Sequence, residues 1–356
     1  MKYYAAEVYG CRFIHILSRR KDTIHVKHKT LKLKKAAVTA FAALLMLLLC
    51  PLGAAAEADE DFIKWVDFNV PHQVLIRAYD YDTESFGQDV HLDFVTMLAY
   101  LAAKNGNKFN VRRDLAALDS FAAKLKAGER AEDLISGKYY DYYREAYGAV
   151  FAGFIGRYAE SAGGESYGLT AYFPVAKGFW TSGYDDFGNS RSFGFKRIHL
   201  GHDMFGSVGA PVVAVEGGTV AELGWNRYGG WRVGIRSHDT KRYYYYAHLR
   251  KNKPYAAGLE KGAAVEAGQV IGYLGATGYS YKENVNMKTK PHLHFGMQLI
   301  FDESQVDGKG EIWIDVYHIC KLLERNRARV LKNPDTGEHE SVELRIPISQ
   351  PQMTDN

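Results

Sequence analysis

The chain has 356 residues, 47% of them hydrophobic and 24% charged, an ordinary globular balance that allows one or two domains with extensions. Its net charge of +4 is uneven: residues 1–35 hold ten Lys/Arg against two Asp/Glu, so +8 lies there and the remainder carries about −4. Nucleic-acid binding needs a basic patch on the folded part; this distribution excludes one, and no nucleic-acid partner is expected.

In chain order, a basic flank at Lys32, Lys34 and Lys35 precedes an apolar run from Ala36 to Cys50 and the small residues Gly53, Ala54, Ala55 and Ala56. That order predicts an export signal over 36–56 cut near Ala56. An uncleaved membrane anchor through the same residues is the rival reading, since the stretch nearly spans a bilayer; Pro51 and Gly53 favour cleavage. Either way the mature chain works outside the cell or in its envelope. Residues 1–35 then form a basic extension. Of Cys11, Cys50 and Cys320, only Cys320 lies beyond the signal, so the exported part has no internal disulfide.

Residues 57–165 read mainly as helices. His91–Lys104 has apolar residues at helical spacing before Gly106, and Leu115–Lys126 and Tyr139–Tyr158 look similar. Ser161–Gly168 reads as a linker. Over 166–305, strand-like runs alternate with glycine turns. Three local hairpins are expected: Pro211–Val215 with Thr219–Leu223, Trp231–Arg236 with Arg242–His248, and Ala264–Gly268 with Gln269–Leu274. His292–Ile300 closes the set. Over 306–356 a helix is expected at Glu311–Leu331, then a disordered end at 349–356. The fold class is α+β, with an antiparallel β-rich domain between a small helical region and a C-terminal helix.

Three motifs carry chemistry: His199-Leu-Gly-His-Asp203, Tyr246-Ala-His248 and Pro291-His-Leu-His294. Zinc takes imidazole nitrogen and carboxylate oxygen, and a catalytic site keeps one position open. Two histidines and an aspartate would fill three positions, with two further histidines free for proton transfer. Strand alternation puts His292 and His294 on one face, and Tyr244, Tyr246 and His248 on another shared face lining the site. Gly201 is expected to bend the backbone so that His199 and Asp203 reach one ion. His202 would close the open position, so it reads as structural. His72, His91, His238, His318 and His339 stand alone and read as ordinary surface or core residues. A lone His-x-His is weak, and the Tyr243–Tyr246 run also suits plain strand packing; the three motifs together are what point to a metal.

With these motifs, over roughly residues 175–300, the sequence resembles the lysostaphin-type (LytM-type) zinc metallopeptidases. The match also includes Thr181-Ser-Gly-Tyr184, the Gly209–Val220 run and Gly262 to Gly278. The resemblance implies a duplicated-hybrid-motif β fold and a peptidoglycan endopeptidase. It implies Zn2+ held by His199, Asp203 and His294, and His248 and His292 as catalytic residues that serve a metal-bound water, without saying which is the general base. The substrate would be a peptidoglycan peptide, and a monomer is expected. The alternative is a non-catalytic envelope scaffold or hydrolase activator that retains the fold. Two departures stand out. The segment Tyr279–Pro291 is long and should form a loop beside the groove. The spacing from Tyr184 to His199 is long as well, so Tyr184 reads as a wall or core residue.

Overall fold

A computed structural model of the protein describes residues 62–161, 163–192 and 196–348. The expected signal at 36–56 and the tail at 349–356 lie outside them. The chain divides into Met1–Phe62 and Ile63–Asn356, and every described helix and strand belongs to the second unit. Among the described residues no helix is long and apolar enough to cross a membrane.

The unit opens with five helices: α1 His72–Ser85, α2 Phe94–Asn105, α3 Val111–Lys126, α4 Ala131–Leu134 and α5 Lys138–Phe151. Local signals set their ends. The Asp93 side chain accepts from Thr96 N at 2.7 Å and caps α2, which stops at Gly106 with φ +62°. Asn110 caps α3 through Arg113 N at 3.1 Å. α5 ends earlier than the expected Tyr158: Gly153 turns the chain at φ +76°, and β1 (Ile155–Ala159) begins. Ser161–Gly168 is not a linker either. β1 pairs antiparallel with β2 (Glu165–Leu169), which includes its last residues.

The strands that come next are β3 Ser190–Ser192, β4 Lys196–Ile198, β5 His202–Phe205, β6 Pro211–Val213, β7 Gly218–Asn226, β8 Gly230–Ser237, β9 Arg242–Ala247, β10 Ala264–Val265, β11 Val270–Tyr273 and β12 His292–Leu299. The main sheet runs β10-β7-β8-β9-β12, then β13 (Ile312–Ile314), with β5 also on β12. All its pairings are antiparallel. The β8–β9 hairpin is as expected. The other two local hairpins are not formed. β6 pairs with β11 and β7 with β10, so 211–223 and 264–274 pair with each other rather than folding back on themselves.

The expected helix over 311–331 is only α6, Tyr317–Leu323. Ile312 and Ile314 are buried at a spacing of two, the pattern of a strand. Beyond α6 the Asn326 side chain donates to Ala171 O at 2.9 Å, and the chain continues as a hairpin of β14 (Arg329–Lys332) and β15 (His339–Val342). A short β16, Ile346–Pro347, pairs with β1.

Helices and sheet share one apolar core that includes Leu75, Leu98, Phe121, Val150, Val215, Tyr246, Phe295 and Leu322. Arg242, 1% exposed, crosses this contact. It donates to both carboxylate oxygens of Glu216, at 2.8 and 2.9 Å, and to Ala149 O of α5 at 2.8 Å. A Cβ on Gly153 would run into the Glu216 carboxylate, so the helix exit and the ion pair are fitted to one another. His202 is 5% exposed, packed edge-on against Tyr317 at 5.1 Å. Burial pushes its pKa down to about 4. The expected solitary His72 and His318 in fact meet, Nδ1 to Nδ1 at 3.2 Å, where α1 packs on α6.

These contacts predict two outcomes. Arg242→Met strands the Glu216 carboxylate in the core and should lower unfolding stability by about 3–5 kcal/mol, read from urea denaturation. His202 is neutral when folded and titrates at an ordinary value of 6.5 when unfolded, so stability should be full above pH 6.5 and decline toward pH 4. The loss reaches up to about 3 kcal/mol, and His202→Phe should flatten that slope.

Candidate metal and catalytic site

The site is built on β12 and its two neighbours. In the β12–β5 register His294 lies directly opposite Asp203, and in the β12–β9 register it lies opposite Ala247. Directly opposed residues in a ladder have their Cβ atoms about 4.5–5.5 Å apart, so the register alone brings His294 and Asp203 into reach. His199 sits just before β5 and folds over the pair. His199 Nε2, Asp203 Oδ1 and His294 Nδ1 form a triangle with sides of 3.0, 3.0 and 2.9 Å. Among the described residues this is the group of three able to share a metal ion.

The donor set fits zinc. Bonds of about 2.0–2.2 Å from imidazole nitrogen and carboxylate oxygen can meet at one point over a triangle of this size. Burial would raise the Asp203 carboxyl, but hydrogen bonding to His199 and His294 overrides it and holds Asp203 well below the usual carboxylate range. Burial lowers the His294 pKa against the pull of Asp203. His202, on the opposite face of β5, is not part of the group.

Gly201 serves the site differently from the expected bend. Its φ is not left-handed. Instead the His294 ring lies on it: a Cβ there would sit 2.8 Å from His294 Nε2 and 2.6 Å from Phe295 O. Close approach, not turning, requires the glycine.

His248 and His292 stand beside the triangle, their ring centroids 4.7 Å apart. His292 Nε2 is 3.9 Å from Asp203 Oδ1. Each ring donates from Nδ1 to a main-chain oxygen, His248 to Thr277 O and His292 to Lys290 O, both at 2.8 Å. A neutral ring held this way keeps its lone pair on Nε2. Burial, then His292 and His294, push the His248 pKa well below its ordinary value, so it is neutral near pH 7.

The expected shared face of Tyr244, Tyr246 and His248 is not what forms. Tyr244 and Tyr246 are wholly buried on the core side, where the Tyr246 hydroxyl accepts from Val215 N at 2.9 Å. Tyr245 and Ala247, on the other side, line the cleft. His248 reaches that cleft because its φ is +61°, which breaks the alternation of β9. A non-glycine residue in this region carries a cost of about 1–2 kcal/mol.

Sequence reasoning missed the outer partners. Asp186, 3% exposed, places Oδ1 3.1 Å and its main-chain oxygen 3.3 Å from His199 Nδ1, which orients the ring. Arg191 pairs with Asp186 and lies 3.6 Å from Asp203 Oδ2. No fixed spacing announces such partners. Arg197, Tyr228 and Tyr279 complete the cleft wall. The long segment after Gly278 is pinned beside it by Asn284, whose Oδ1 accepts from Trp231 Nε1 at 2.9 Å. Tyr184 is neither wall nor core: it is 60% exposed and outside the cleft lining.

Comparison with known proteins bears on this geometry. Residues 197–307 match the family described as Peptidase family M23. The L-Ala–D-Glu endopeptidase of Bacillus subtilis is 41% identical over 138 residues, 39% of this chain and 39% of that enzyme's length. The crystallised catalytic domain of lysostaphin from Staphylococcus simulans is 31% identical, with 40% of this chain covering 92% of it at a TM-score of 0.30. Lysostaphin from Staphylococcus staphylolyticus is 40% identical over 99 residues, 28% of this chain and 18% of that protein. The matched stretch holds His199, Asp203, His248, His292 and His294, so the chain carries a Peptidase family M23 domain over residues 197–307, similar to the lysostaphin-type (LytM-type) peptidases.

Proposed function

We propose that this protein is a zinc-dependent endopeptidase that hydrolyses peptide bonds in peptidoglycan stems or cross-links, outside the cytoplasm. The donor triangle with two lone-pair nitrogens beside it is the observation that carries this reading. The Bacillus subtilis relative is named for L-Ala–D-Glu endopeptidase activity, which supports a peptide substrate of this class.

His199, Asp203 and His294 would hold the ion. When bound, zinc supplies Lewis acidity to the scissile carbonyl and makes water a stronger acid. His248 and His292 do the proton work. With Nδ1 committed to a carbonyl, each ring takes a proton at Nε2 and can return it to the leaving amine. Burial keeps His248 uncharged and ready to accept. Asp186 and Arg191 hold His199 in the one ring orientation that aims Nε2 at the triangle.

The test uses the chain from residue 57 onward, with bound zinc measured and purified cell wall digested. Chelation should abolish release of new amino groups, and zinc should restore it. His294→Ala should lose metal and activity together. His248→Ala should keep its metal while kcat/KM falls about 10²–10⁴-fold. A folded, zinc-bearing protein that leaves the wall intact would instead be an envelope scaffold.

Gly201→Ala should weaken zinc binding by about 10–100-fold in a chelator competition, since the added methyl displaces His294. His248→Gly should be as inactive as His248→Ala but about 1 kcal/mol more stable, because glycine accepts the left-handed backbone.

A further inference from the structure

The chain just ahead of α1 reads Trp65-Val-Asp-Phe-Asn-Val70. It alternates: Val66, Phe68 and Val70 are buried, Trp65 and Asn69 stand exposed, and Asp67 is half-buried on their side. α5 opens with Lys138-Tyr-Tyr-Asp-Tyr-Tyr143, and its tyrosines divide as a helix requires. Tyr140 is buried, while Tyr139, Tyr142 and Tyr143, at spacings of three and four, share the face turned toward Trp65. Segment and helix enclose a hollow of 460 Å³ on the helical layer, which shares no residue with the metal cleft.

Its walls are tied to one another. The Tyr142 hydroxyl donates to Trp65 O at 2.7 Å. The Asn107 amide donates to Asp67 O at 2.9 Å, and its oxygen accepts from the Tyr147 hydroxyl at 2.9 Å. These bonds fix the hollow and still leave its rings open to solvent: Trp65 is 61% and Tyr139 66% exposed. The lining carries one charge of each sign, the Asp67 carboxylate and the Lys138 ammonium, which sits over the Tyr139 ring at 5.3 Å. Neither forms an ion pair among the described residues.

Several kinds of ligand take aromatic rings, and the charges separate them. A nucleic-acid strand needs surplus positive charge, which a balanced pair does not give. A bilayer would have to take in the Asp67 carboxylate, at a cost. A proline-rich strand suits such rings, but its prolines bring no N–H to a carboxylate. A sugar ring meets every feature. Its face of C–H bonds lies on the negative face of an aromatic ring. The hydroxyls around its edge donate to a carboxylate and accept from an ammonium. The volume is that of an ordinary small-ligand site.

We propose that this hollow binds pyranose rings of the wall's glycan strand, a second grip on the polymer apart from the cleft. The choice of polymer rests on the peptidase reading above; the sugar chemistry rests on the hollow itself. Trp65 and Tyr139 supply the stacking faces, and Asp67 and Lys138 take the hydroxyls.

The test titrates a tetramer of N-acetylglucosamine into the metal-free chain by calorimetry. Saturable binding is expected, weakened about tenfold by Trp65→Ala and by Tyr139→Ala. Asp67→Asn, which keeps the shape but loses the charged acceptor, should weaken it less. Melting curves of the three variants exclude unfolding as the cause.

Absence of binding at millimolar tetramer overturns the proposal, as does binding that Trp65→Ala and Tyr139→Ala leave undiminished. Capture by phosphatidylglycerol vesicles or by decaproline, lost in Trp65→Ala and unaccompanied by sugar binding, overturns it in favour of a membrane or a peptide. Wall digestion by the zinc-loaded protein is read separately. Digestion by a protein that binds no tetramer removes the role of the hollow and leaves the peptidase standing. Tetramer binding without digestion does the reverse.

Discussion

The register of β12 is the constraint on which the site depends. One strand faces β5 with its first residues and β9 along most of its length, and the two pairings set His294 opposite Asp203 on one side and Ala247 on the other. Because side chains alternate, a slip of one residue would send His294 into the core and Phe295 into the cleft. The core fixes the register from below. Phe295 is buried against Tyr244 and Tyr246, and Leu293 and Met297 are fully covered. The apolar half of the strand thus sets the position of its polar half.

Around this strand, chemistry is supplied by local exceptions to regular structure. His248 leaves the alternation of β9 through a left-handed residue, and Gly201 gives up its side chain so that the His294 ring can lie against the backbone. Strain and lost side-chain packing concentrate where the donors converge, and the well-packed sheet beneath offsets them. The electrostatics obey the same plan. Asp203 is held charged by the histidines, while His248 is held neutral by burial. Neighbouring groups are thereby kept in opposite charge states.

Much of this was legible in the chain itself. His-x-His on a strand needs only alternation to be read, and the three motifs named every residue of the triangle and both flanking histidines. The stop of α2 was announced by Gly106, but its Asp93 cap and the Asn110 cap of α3 were not read, and both starts were misplaced, at His91 for Phe94 and Leu115 for Val111. What stayed hidden depends on distant parts of the chain. Glycine turns at 216–218 and 266–268 look like hairpin turns, but turn chemistry cannot tell a strand that folds back from one that crosses to pair elsewhere. The side to which His248 turns depends on a single backbone angle. Asp186 acts through the His199 ring, thirteen positions away, and no spacing rule marks it. The stretch 311–331 carries a strand, a short helix and a hairpin whose identities are settled by contacts with Leu169, Ala171 and β12.

The bond from Arg242 to Ala149 O has a practical corollary. The family match begins at residue 197, and trimming the protein to that stretch would be an obvious way to isolate the candidate site. Such a fragment would lose α5, leaving a guanidinium donor uncovered and the apolar side of Val215, Tyr246 and Phe295 without its roof. Apolar patches of that kind drive self-association. Anyone shortening this protein must therefore keep the helical layer or replace the apolar side chains that share its core.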